Sequence, residues 1–425
     1  MAVVLSLEHG AIIDHEAWIL QLLDQHNFYH HEKRTLNFQG LFDIRTPFLM
    51  DGQAQKIAER LEGKREETLE PKRKKKKKGL TSETSPHKDA EQDHILSTLS
   101  ALQSTPEFKA TFTYTPTPDD YRMNNIKVRN LRTRLMEASN VTLARLDGAT
   151  EGGGFSTKVM CGSKYILPPY TRYICDDVAN ILNHTSGERF DFVVMDPPWQ
   201  NKHVKRKKSV HGSKQGYNMM NIKDILKIPV DHLLKAGGLV AVWSTSNPSH
   251  MQEFLQSLHT WDVEHVATWY WLKVTKAGEP ITLQEGRCHS KLPYERVFIA
   301  RRSKTGGCLE DIPDKFVFCS IPSGIHSHKP PLYKLLKRFL APQPQCLELF
   351  ARNLVPGWTS IGLERVTPVG GHKTSTTLWQ NGKNITTVFS AHHTRQLAKK
   401  GQIKEYGSSL LYFDSHSPCN SLRVM

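Results

Sequence analysis

The sequence predicts an α/β protein whose core is a doubly wound, mostly parallel sheet. From about residue 155 to residue 366, short apolar runs alternate with stretches of helical pattern, and this alternation is typical of a parallel sheet covered by helices. One run, residues 190–195, is apolar at almost every position, as expected of a strand that is buried on both faces. In such a fold, ligands bind beyond the carboxyl ends of the strands.

Further elements follow in chain order within the same region. Runs of apolar and β-branched residues predict strands at 239–243, 266–274, 296–300, 316–319, 346–350 and 359–363. Helices are predicted at 222–226, 250–258 and 331–340. The last of these opens with proline, and its apolar residues recur at helical spacing.

The remaining segments differ in composition. Residues 1–60 form an N-terminal region with one predicted helix at about 16–26, and residues 96–154 form an accessory region of mixed helical pattern. Between them, residues 61–95 are highly charged and are predicted to be a disordered linker. Residues 367–425 are rich in Ser, Thr and His and are expected to form a loosely ordered tail. The sheet domain is therefore expected to span residues 155–366.

The chain is basic, with 57 Lys and Arg against 42 Asp and Glu and a formal net charge of +15. Much of this excess lies in two runs. One is in the predicted linker and comprises Lys72, Arg73, Lys74, Lys75, Lys76, Lys77 and Lys78; the other comprises Lys205, Arg206, Lys207 and Lys208. Such patches bind phosphate-rich partners or nuclear import receptors. The linker run predicts nuclear targeting, with a solvated or RNA-contacting run as the alternative.

Cysteine usage and the N-terminal residues indicate the compartment. The seven cysteines are odd in number and form no Cys-x-x-Cys pair, which argues against a zinc ribbon and against a disulfide framework. The N-terminal residues lack a basic segment, and His, Asp and Glu interrupt their apolar runs. Neither a signal peptide nor a membrane span is therefore expected. The expected location is a reducing compartment, the nucleus or the cytoplasm, with no membrane partner.

The segment Asp196-Pro197-Pro198-Trp199 directly follows the predicted strand at 190–195, which puts it at the ligand-binding edge of the sheet. Its chemistry suits the N6 amine of adenine, which is a poor nucleophile because its lone pair is delocalised into the ring. The Asp196 carboxylate and the rigidly held Pro197 carbonyl offer two acceptors for the amine hydrogens, and Trp199 can stack on a base. The alternative is a strand-ending turn with Trp199 in the core.

Polar residues near two later strands complete the candidate site. Lys329 lies just before a predicted helix, an unfavourable place for a cation, and is expected to pair with a carboxylate. Glu348 lies among apolar residues and needs a partner, so a structural ion pair and a ligand contact both remain open. His326 and His328 lack a third metal ligand at suitable spacing, and no metal is expected.

Together these motifs resemble one family. The sequences D-P-P-W at 196–199, S-H-K-P at 327–330, E-L-F-A-R-N at 348–353 and P-G-W-T-S at 356–360 resemble the MT-A70 family of adenine-N6 methyltransferases. The joint pattern is most similar to its methyltransferase-like protein 4 branch, and it covers about residues 160–366. The resemblance implies a Rossmann-like methyltransferase fold in which the catalytic motif precedes the cofactor motif in the chain, with S-adenosyl-L-methionine as the cofactor.

The resemblance also implies roles for individual residues. The catalytic residues would be Asp196, Pro197, Pro198 and Trp199. The cofactor would contact Asp176, Asp177, Asp196, Lys329, Arg352, Asn353 and Glu364. Substrate contacts cannot be carried over from the family into the long basic loop after this motif. The prediction that the substrate nucleic acid binds there, at Lys205, Arg206, Lys207, Lys208 and Tyr217, is separate from the resemblance.

Three functions stay open on the sequence. The first is an RNA enzyme, which the resemblance implies would methylate N6 of 2′-O-methyladenosine in U2 small nuclear RNA. The second is the same chemistry on DNA. The third is a non-catalytic nucleic-acid-binding subunit of a methyltransferase complex, which is disfavoured because Lys329 and all four residues of D-P-P-W are present. The sequence indicates no obligate protein partner.

Overall fold

The computed structural model describes residues 2–25, 39–63, 86–137, 147–160, 163–200, 219–244, 247–282, 292–303, 311–325 and 328–362, together with 405–406 and 409–410. Several predicted features lie outside these residues: the run Lys72–Lys78, the loop with Lys205–Lys208 and Tyr217, and Glu364. Most of the predicted linker and most of the predicted tail also lie outside them.

One large sheet organises the described part of the chain. The strands are β1 (Val3–Ser6), β2 (Gly10–Ile13), β3 (Gly148–Ala149), β4 (Ser156–Met160), β5 (Ser163–Leu167), β6 (Arg172–Ile174), β7 (Phe190–Met195), β8 (Leu234–Trp243), β9 (Val263–Lys273), β10 (Tyr294–Arg302), β11 (Val317–Ser320), β12 (Cys346–Leu349), β13 (Trp358–Ile361), β14 (Glu405–Tyr406) and β15 (Ser409–Leu410). Eleven of them form the sheet, in the order β1-β2-β11-β9-β10-β8-β7-β12-β13-β6-β3. Most neighbours are parallel; β1, β3 and β10 run antiparallel to theirs.

Helices precede, connect and cover these strands. They are α1 (His15–Gln25), α2 (Asp51–Leu61), α3 (Pro86–Gln103), α4 (Pro106–Thr111), α5 (Pro118–Met123), α6 (Ile126–Glu137), α7 (Ile181–Thr185), α8 (Ile222–Leu226), α9 (Val230–Leu233), α10 (Pro248–Gln256) and α11 (Leu332–Leu336). Short 3-10 turns occupy Gln39–Phe42, Val178–Asn180, Leu258–Trp261 and Lys337–Phe339. None of the described helices has the length and apolar content that crossing a membrane requires.

Apolar clusters cover both faces of the sheet. Val193 and Met195 of β7 belong to one cluster, together with residues of α8, α9 and α10. Phe192 and Val194, which alternate with them, pack in a second cluster with α11. Because successive side chains of a strand point to opposite faces, a strand covered on both faces needs a nearly continuous apolar sequence. The structure thus confirms the predicted α/β sheet.

The strand order reverses between β7 and β12. From β7 the chain continues to β8 on one side, whereas β12 is followed by β13 on the other side. Such a reversal opens a crevice at the carboxyl ends of the two strands. The segment at 196–199 follows β7, and the segment at 350–353 follows β12. The two motifs that are predicted to bind ligands therefore meet at this crevice, in the permuted chain order that the family resemblance implies.

The predicted bounds of the strands and helices agree best with the observed bounds where the sequence pattern is strong. The strand at 190–195 and the helix at 222–226 are confirmed at the same bounds. Strand β8 begins at Leu234, five residues before the predicted start at Leu239. Its first half is interrupted by polar residues and glycines, so pairing with β7, and not the local apolar pattern, decides where it begins.

The N-terminal region differs from the prediction of one helix followed by a linker. Strands β1 and β2 extend the central sheet, with β2 parallel to β11. The predicted linker is wrong at its end, because α3 already begins at Pro86. Ile95, Leu99 and Leu102 of α3 pack against the sheet, and this tertiary contact outweighs the polar composition of the helix's first turns. Strand β2 has only four residues, all buried, which is too few to show a periodic pattern.

Candidate functional site

Asp196 lies directly after β7, and two cations from later segments bind it. Its Oδ2 accepts a hydrogen bond from Nη1 of Arg352 at 2.8 Å and lies 3.6 Å from Nζ of Lys329. Arg352 follows β12, and Lys329 precedes α11. The crevice therefore brings together three of the predicted site residues, and Lys329 pairs with a carboxylate as its position in the sequence predicts.

A second carboxylate holds Lys329 from the other side. Glu295 on β10 contacts Lys329 and also contacts Lys273 on β9. Burial alone would lower the pKa of Lys329, but the carboxylates of Asp196 and Glu295 outweigh it and raise that pKa. Burial would likewise raise the pKa of Glu295, but the two lysines outweigh it and hold that pKa well below its usual value. Opposite charges thus alternate across the floor of the crevice.

An aromatic wall supports this row of charges. The Lys329 ammonium lies 4.5 Å from the ring centroid of Trp243, close enough for a cation–π interaction. The carbonyl of Trp243 accepts a hydrogen bond from Nε1 of Trp199 at 2.7 Å. Trp199 meets Phe254 edge to face at 5.4 Å and packs against the apolar cluster. The indole of Trp199 is therefore anchored in part by the core, as the alternative interpretation predicted, and its stacking on a base stays a prediction.

The backbone of the catalytic segment is held by its own turn. The Pro197 carbonyl accepts a hydrogen bond from the Trp199 backbone N–H at 2.8 Å, and the Pro198 carbonyl accepts one from the backbone N–H of Met220, also at 2.8 Å. A carbonyl oxygen has two lone pairs, so Pro197 can still accept a second hydrogen bond from a ligand. These hydrogen bonds fix the direction of both carbonyls, and each carbonyl oxygen can still accept one more hydrogen bond.

A cavity of about 160 Å³ adjoins these residues. Its charged side consists of Asp196, Lys329, Glu348 and Arg352, beside Asn353. Its other walls come from α1, the beginning of α11 and the turn after β12, and they are largely apolar or aromatic. The cavity can therefore hold a ligand that carries charges at one end and an apolar body at the other.

Glu348 on β12 is a partly buried acid that lines this cavity. Burial and the nearby Asp196 carboxylate raise the pKa of Glu348 to about 8, although Arg352 acts in the opposite direction. The Glu348 carboxyl is therefore mostly protonated near neutral pH and can donate a hydrogen bond towards a ligand. The structure places Glu348 on the lining of the cavity, and its contact with a ligand stays a prediction.

Glu348→Gln is expected to remove a pH dependence of stability. In the wild type the folded form of Glu348 holds its proton more tightly than the unfolded form, whose pKa is near 4.5. Stability should therefore fall as the pH rises from about 4.5 to about 8. The Gln variant should show a smaller fall in thermal melting temperature over this range, whereas Glu253→Gln on the surface of α10 should match the wild type. If the melting temperatures of the wild type and Glu348→Gln change equally with pH, the raised pKa of Glu348 is contradicted.

Asp176 and Asp177 do not line this cavity. Asp176 is buried, and its carboxylate accepts hydrogen bonds from the Asp177 backbone N–H, from Asn180 and from His184, the last at 2.8 Å. The Asp177 carboxylate accepts one from the backbone N–H of Ala179 and so caps the following turn. Both residues follow β6, at the same edge of the sheet as Asp196. Their contact with a cofactor stays a prediction.

Two residues of the site were not predicted from the sequence. Glu295 and Lys273 lie within apolar strands, and a charged residue in such a strand is the signal that could have drawn attention to them. The neighbouring His328 is buried, and its ring centroid lies 4.6 Å from that of His15 at the start of α1. Within the described residues, no group of three or more His, Cys, Asp or Glu could hold a metal ion.

Comparison with known proteins agrees with this geometry. Residues 190–364 match the MT-A70 family. The mouse (Mus musculus) protein "N(6)-adenine-specific methyltransferase METTL4" is 36% identical over 251 residues, 55% of this chain and 51% of that protein. The Caenorhabditis elegans "DNA N6-methyl methyltransferase" is 36% identical over 205 residues, 48% of this chain and 53% of that protein. "N6-methyladenosine RNA methyltransferase MTA1" of Pyricularia oryzae is 34% identical over 206 residues, 47% of this chain and 54% of that protein.

The aligned region spans about half the length of each of these relatives. The part of the chain that matches the family contains β7 and the segment at 196–199 after it, β10 with Glu295, Lys329, and Arg352 after β12. Asp196, Lys329 and Arg352 lie on the charged side of the cavity, and Glu295 contacts Lys329. The motifs D-P-P-W, S-H-K-P and E-L-F-A-R-N, which meet at one crevice, all lie within the residues that match the MT-A70 family.

Proposed function

We propose that this protein is an S-adenosyl-L-methionine-dependent methyltransferase that modifies the N6 amine of adenine in a nucleic acid. The observation that carries this proposal is the position of Asp196, which lies at the switch point of the sheet between Arg352 and Lys329. The names of the relatives support the same chemistry, since all three name an N6 methyltransferase and two of them name adenine or adenosine.

The residues of the cavity fit the proposed cofactor. Its amino-acid end carries an ammonium and a carboxylate, and the cavity offers the Asp196 carboxylate for the first and the Lys329 and Arg352 cations for the second. When bound, the cofactor supplies an electrophilic methyl group on a sulfonium. Apolar walls beyond the charged side can receive the remaining, less polar part of the molecule.

The chain's own residues would orient the target amine. Arg352 and Lys329 both approach Oδ2 of Asp196, so Oδ1 is the oxygen that faces fewer cations and can accept from the amine. The Pro197 carbonyl provides the second acceptor in a fixed direction. Two acceptors on the two N6 hydrogens favour a pyramidal nitrogen whose lone pair can attack, and holding the amine in line with the methyl group lowers the barrier by about 7–11 kcal/mol.

For the substrate we favour RNA and, from the family resemblance, N6 of 2′-O-methyladenosine in U2 small nuclear RNA. DNA is the second candidate, and one relative is named as a DNA enzyme whereas another is named as an RNA enzyme. Only the 2′ position of the sugar distinguishes the two kinds of ligand. Incubation with labelled cofactor and matched RNA and DNA oligonucleotides, followed by nucleoside analysis, tests the proposal. Label in neither oligonucleotide would support a non-catalytic subunit.

Neutralising the four basic residues Lys205–Lys208 is expected to raise KM for the substrate and to reduce the salt dependence of binding, with less effect on kcat. Few residues separate Lys205 from Trp199 in the chain, and an extended chain spans at most about 3.3–3.6 Å per residue, so the proposal is that these residues hold phosphates within roughly 20 Å of the methyl-transfer site. Steady-state kinetics across a salt series is the measurement. The matched control neutralises Lys72–Lys78, and loss of affinity in that variant alone would mean that the two patches are assigned the wrong way round.

Nuclear accumulation is expected to depend on Lys72–Lys78, because a dense basic run is the form that import receptors bind. Replacing these seven residues with Gln or Ser in a tagged chain should shift the protein towards the cytoplasm, and imaging in cells is the measurement. The corresponding replacement of Lys205–Lys208 serves as the control for loss of charge. Unchanged nuclear accumulation of the first variant would rule out this targeting signal.

A further inference from the structure

Helix α1 closes one side of the cavity that contains Asp196. Trp18, Ile19 and Leu22 of this helix line the cavity, although α1 lies far outside residues 190–364 that match the family. We propose that α1 is a part of the cofactor site and that its apolar residues form the wall against the apolar body of the cofactor. This inference rests on the proposed function, because it takes the cavity to be the cofactor pocket.

The sheet fixes the position of α1. Strand β2 runs parallel to β11, and β11 runs parallel to β9, so the carboxyl end of β2 opens at the same edge as the crevice. Helix α1 begins two residues after β2, and the Asp14 carboxylate caps it by accepting a hydrogen bond from the Ala17 backbone N–H at 2.8 Å. The pairing of β2 with β11 therefore places the start of α1 at the ligand-binding edge of the sheet.

A buried contact links α1 to the segment that carries Lys329. The rings of His15 and His328 lie 4.6 Å apart, and Phe42 meets His15 edge-on at 5.1 Å. Both histidines are buried, and both nitrogens of His15 lack a hydrogen-bond partner. Burial lowers the pKa of each imidazole, so the pair packs as two neutral rings. Because His328 immediately precedes Lys329, this contact holds α1 and the cation of the site in a fixed relation.

The three α1 residues differ in how much of the side chain is available to a ligand. Trp18 is 8% exposed and Ile19 is 2% exposed, so each contributes only a small part of its surface to the wall. Leu22 is only partly buried and is the most exposed of these three lining residues. Leu20 offers a matched comparison. Like Leu22, it is partly buried against the apolar cluster that includes Trp18 and Ile19, but it does not line the cavity.

The test measures the affinity of the full chain for S-adenosylhomocysteine by calorimetry. Leu22→Ala should weaken binding about 5- to 30-fold, since it removes apolar surface from the wall, and Leu22→Trp should weaken it at least as much by filling the cavity. Leu20→Ala should stay within about twofold of the wild type. Circular dichroism and melting curves of all three variants report on folding, and the Trp variant keeps the test informative if the Ala variant does not fold.

The outcomes separate the inference from the proposed function. If the wild type binds and both Leu22 variants bind equally well, α1 is not a wall of the site, whereas the proposed function stands. Equal weakening by Leu20→Ala and Leu22→Ala would also overturn the inference, because the helix would then act only through packing. Failure of the wild-type chain to bind S-adenosylhomocysteine would contradict the proposed function itself.

Discussion

Replacing Asp196 by alanine is expected to lower the rate of methyl transfer by about 10²–10⁴-fold, the usual effect of removing a positioned catalytic side chain. The carboxylate is the acceptor proposed for the target amine, and no other carboxylate of the described residues stands at the end of β7. Folding should persist, because Asp196 lies after the strand and Lys329 keeps its contact with Glu295. Single-turnover kinetics with labelled cofactor is the measurement.

Two further variants make this result interpretable. Asp196→Asn keeps the size of the side chain and one acceptor oxygen, so it should retain more activity than the alanine variant. Asp119→Ala removes a carboxylate whose side chain is 84% exposed, and it should leave the rate unchanged. An Asp196→Ala variant that keeps more than about a tenth of the wild-type rate would falsify the assignment of Asp196 as the catalytic acceptor.

Replacing Glu295 by alanine is expected to lower the free energy of unfolding by about 1–3 kcal/mol, the usual penalty when a buried polar group loses its partner. Lys273 and Lys329 both contact this carboxylate, so its removal leaves two cations close together at a poorly solvated place. Lys329 should then depart from its position beside Asp196, and the affinity for the cofactor should fall as well. Chemical denaturation and calorimetry measure the two effects.

Variants at nearby positions distinguish charge from shape in this network. Glu295→Gln keeps a hydrogen-bond acceptor but loses the charge. Its free energy of unfolding should lie between those of the wild type and Glu295→Ala. Glu264→Ala removes an exposed carboxylate of the neighbouring strand β9 and should change stability little. If Glu295→Ala is as stable as Glu264→Ala, the carboxylate does not hold the two lysines in the way that the geometry indicates.

The sequence was most informative where a short segment carries its own signal. Residues 190–195 predict strand β7 because a strand that is buried on both faces must be apolar throughout, and the structure confirms it at those bounds. The position of Asp196 after that strand followed directly. The position of Lys329 just before a helix is unfavourable for a cation, which predicted a carboxylate partner. The structure shows two such partners, Asp196 and Glu295.

The sequence was least informative for contacts between distant segments. Asp196 and Arg352 are 156 residues apart in the chain, and their contact depends on the pairing of β7 with β12. Glu295 was not predicted, because its partners Lys273 and Lys329 come close to it only when β9, β10 and the segment before α11 are brought together. Asp176 followed the family resemblance, but the structure shows local bonds to Asn180 and His184 that no spacing in the sequence predicted.

The amino-acid sequence by itself determined the α/β class, the strand that carries D-P-P-W and the residue types on which the proposed methyl-transfer site depends. These features depend on neighbours within a few residues, where periodicity and the chemistry of single side chains decide. Only the tertiary structure decided that β2 joins the sheet and brings α1 to the cavity, and that Glu295 bridges Lys273 and Lys329. It also decided that burial and the Asp196 carboxylate raise the pKa of Glu348. Burial and charge pairing across the sheet depend on strand order, which local sequence patterns do not specify.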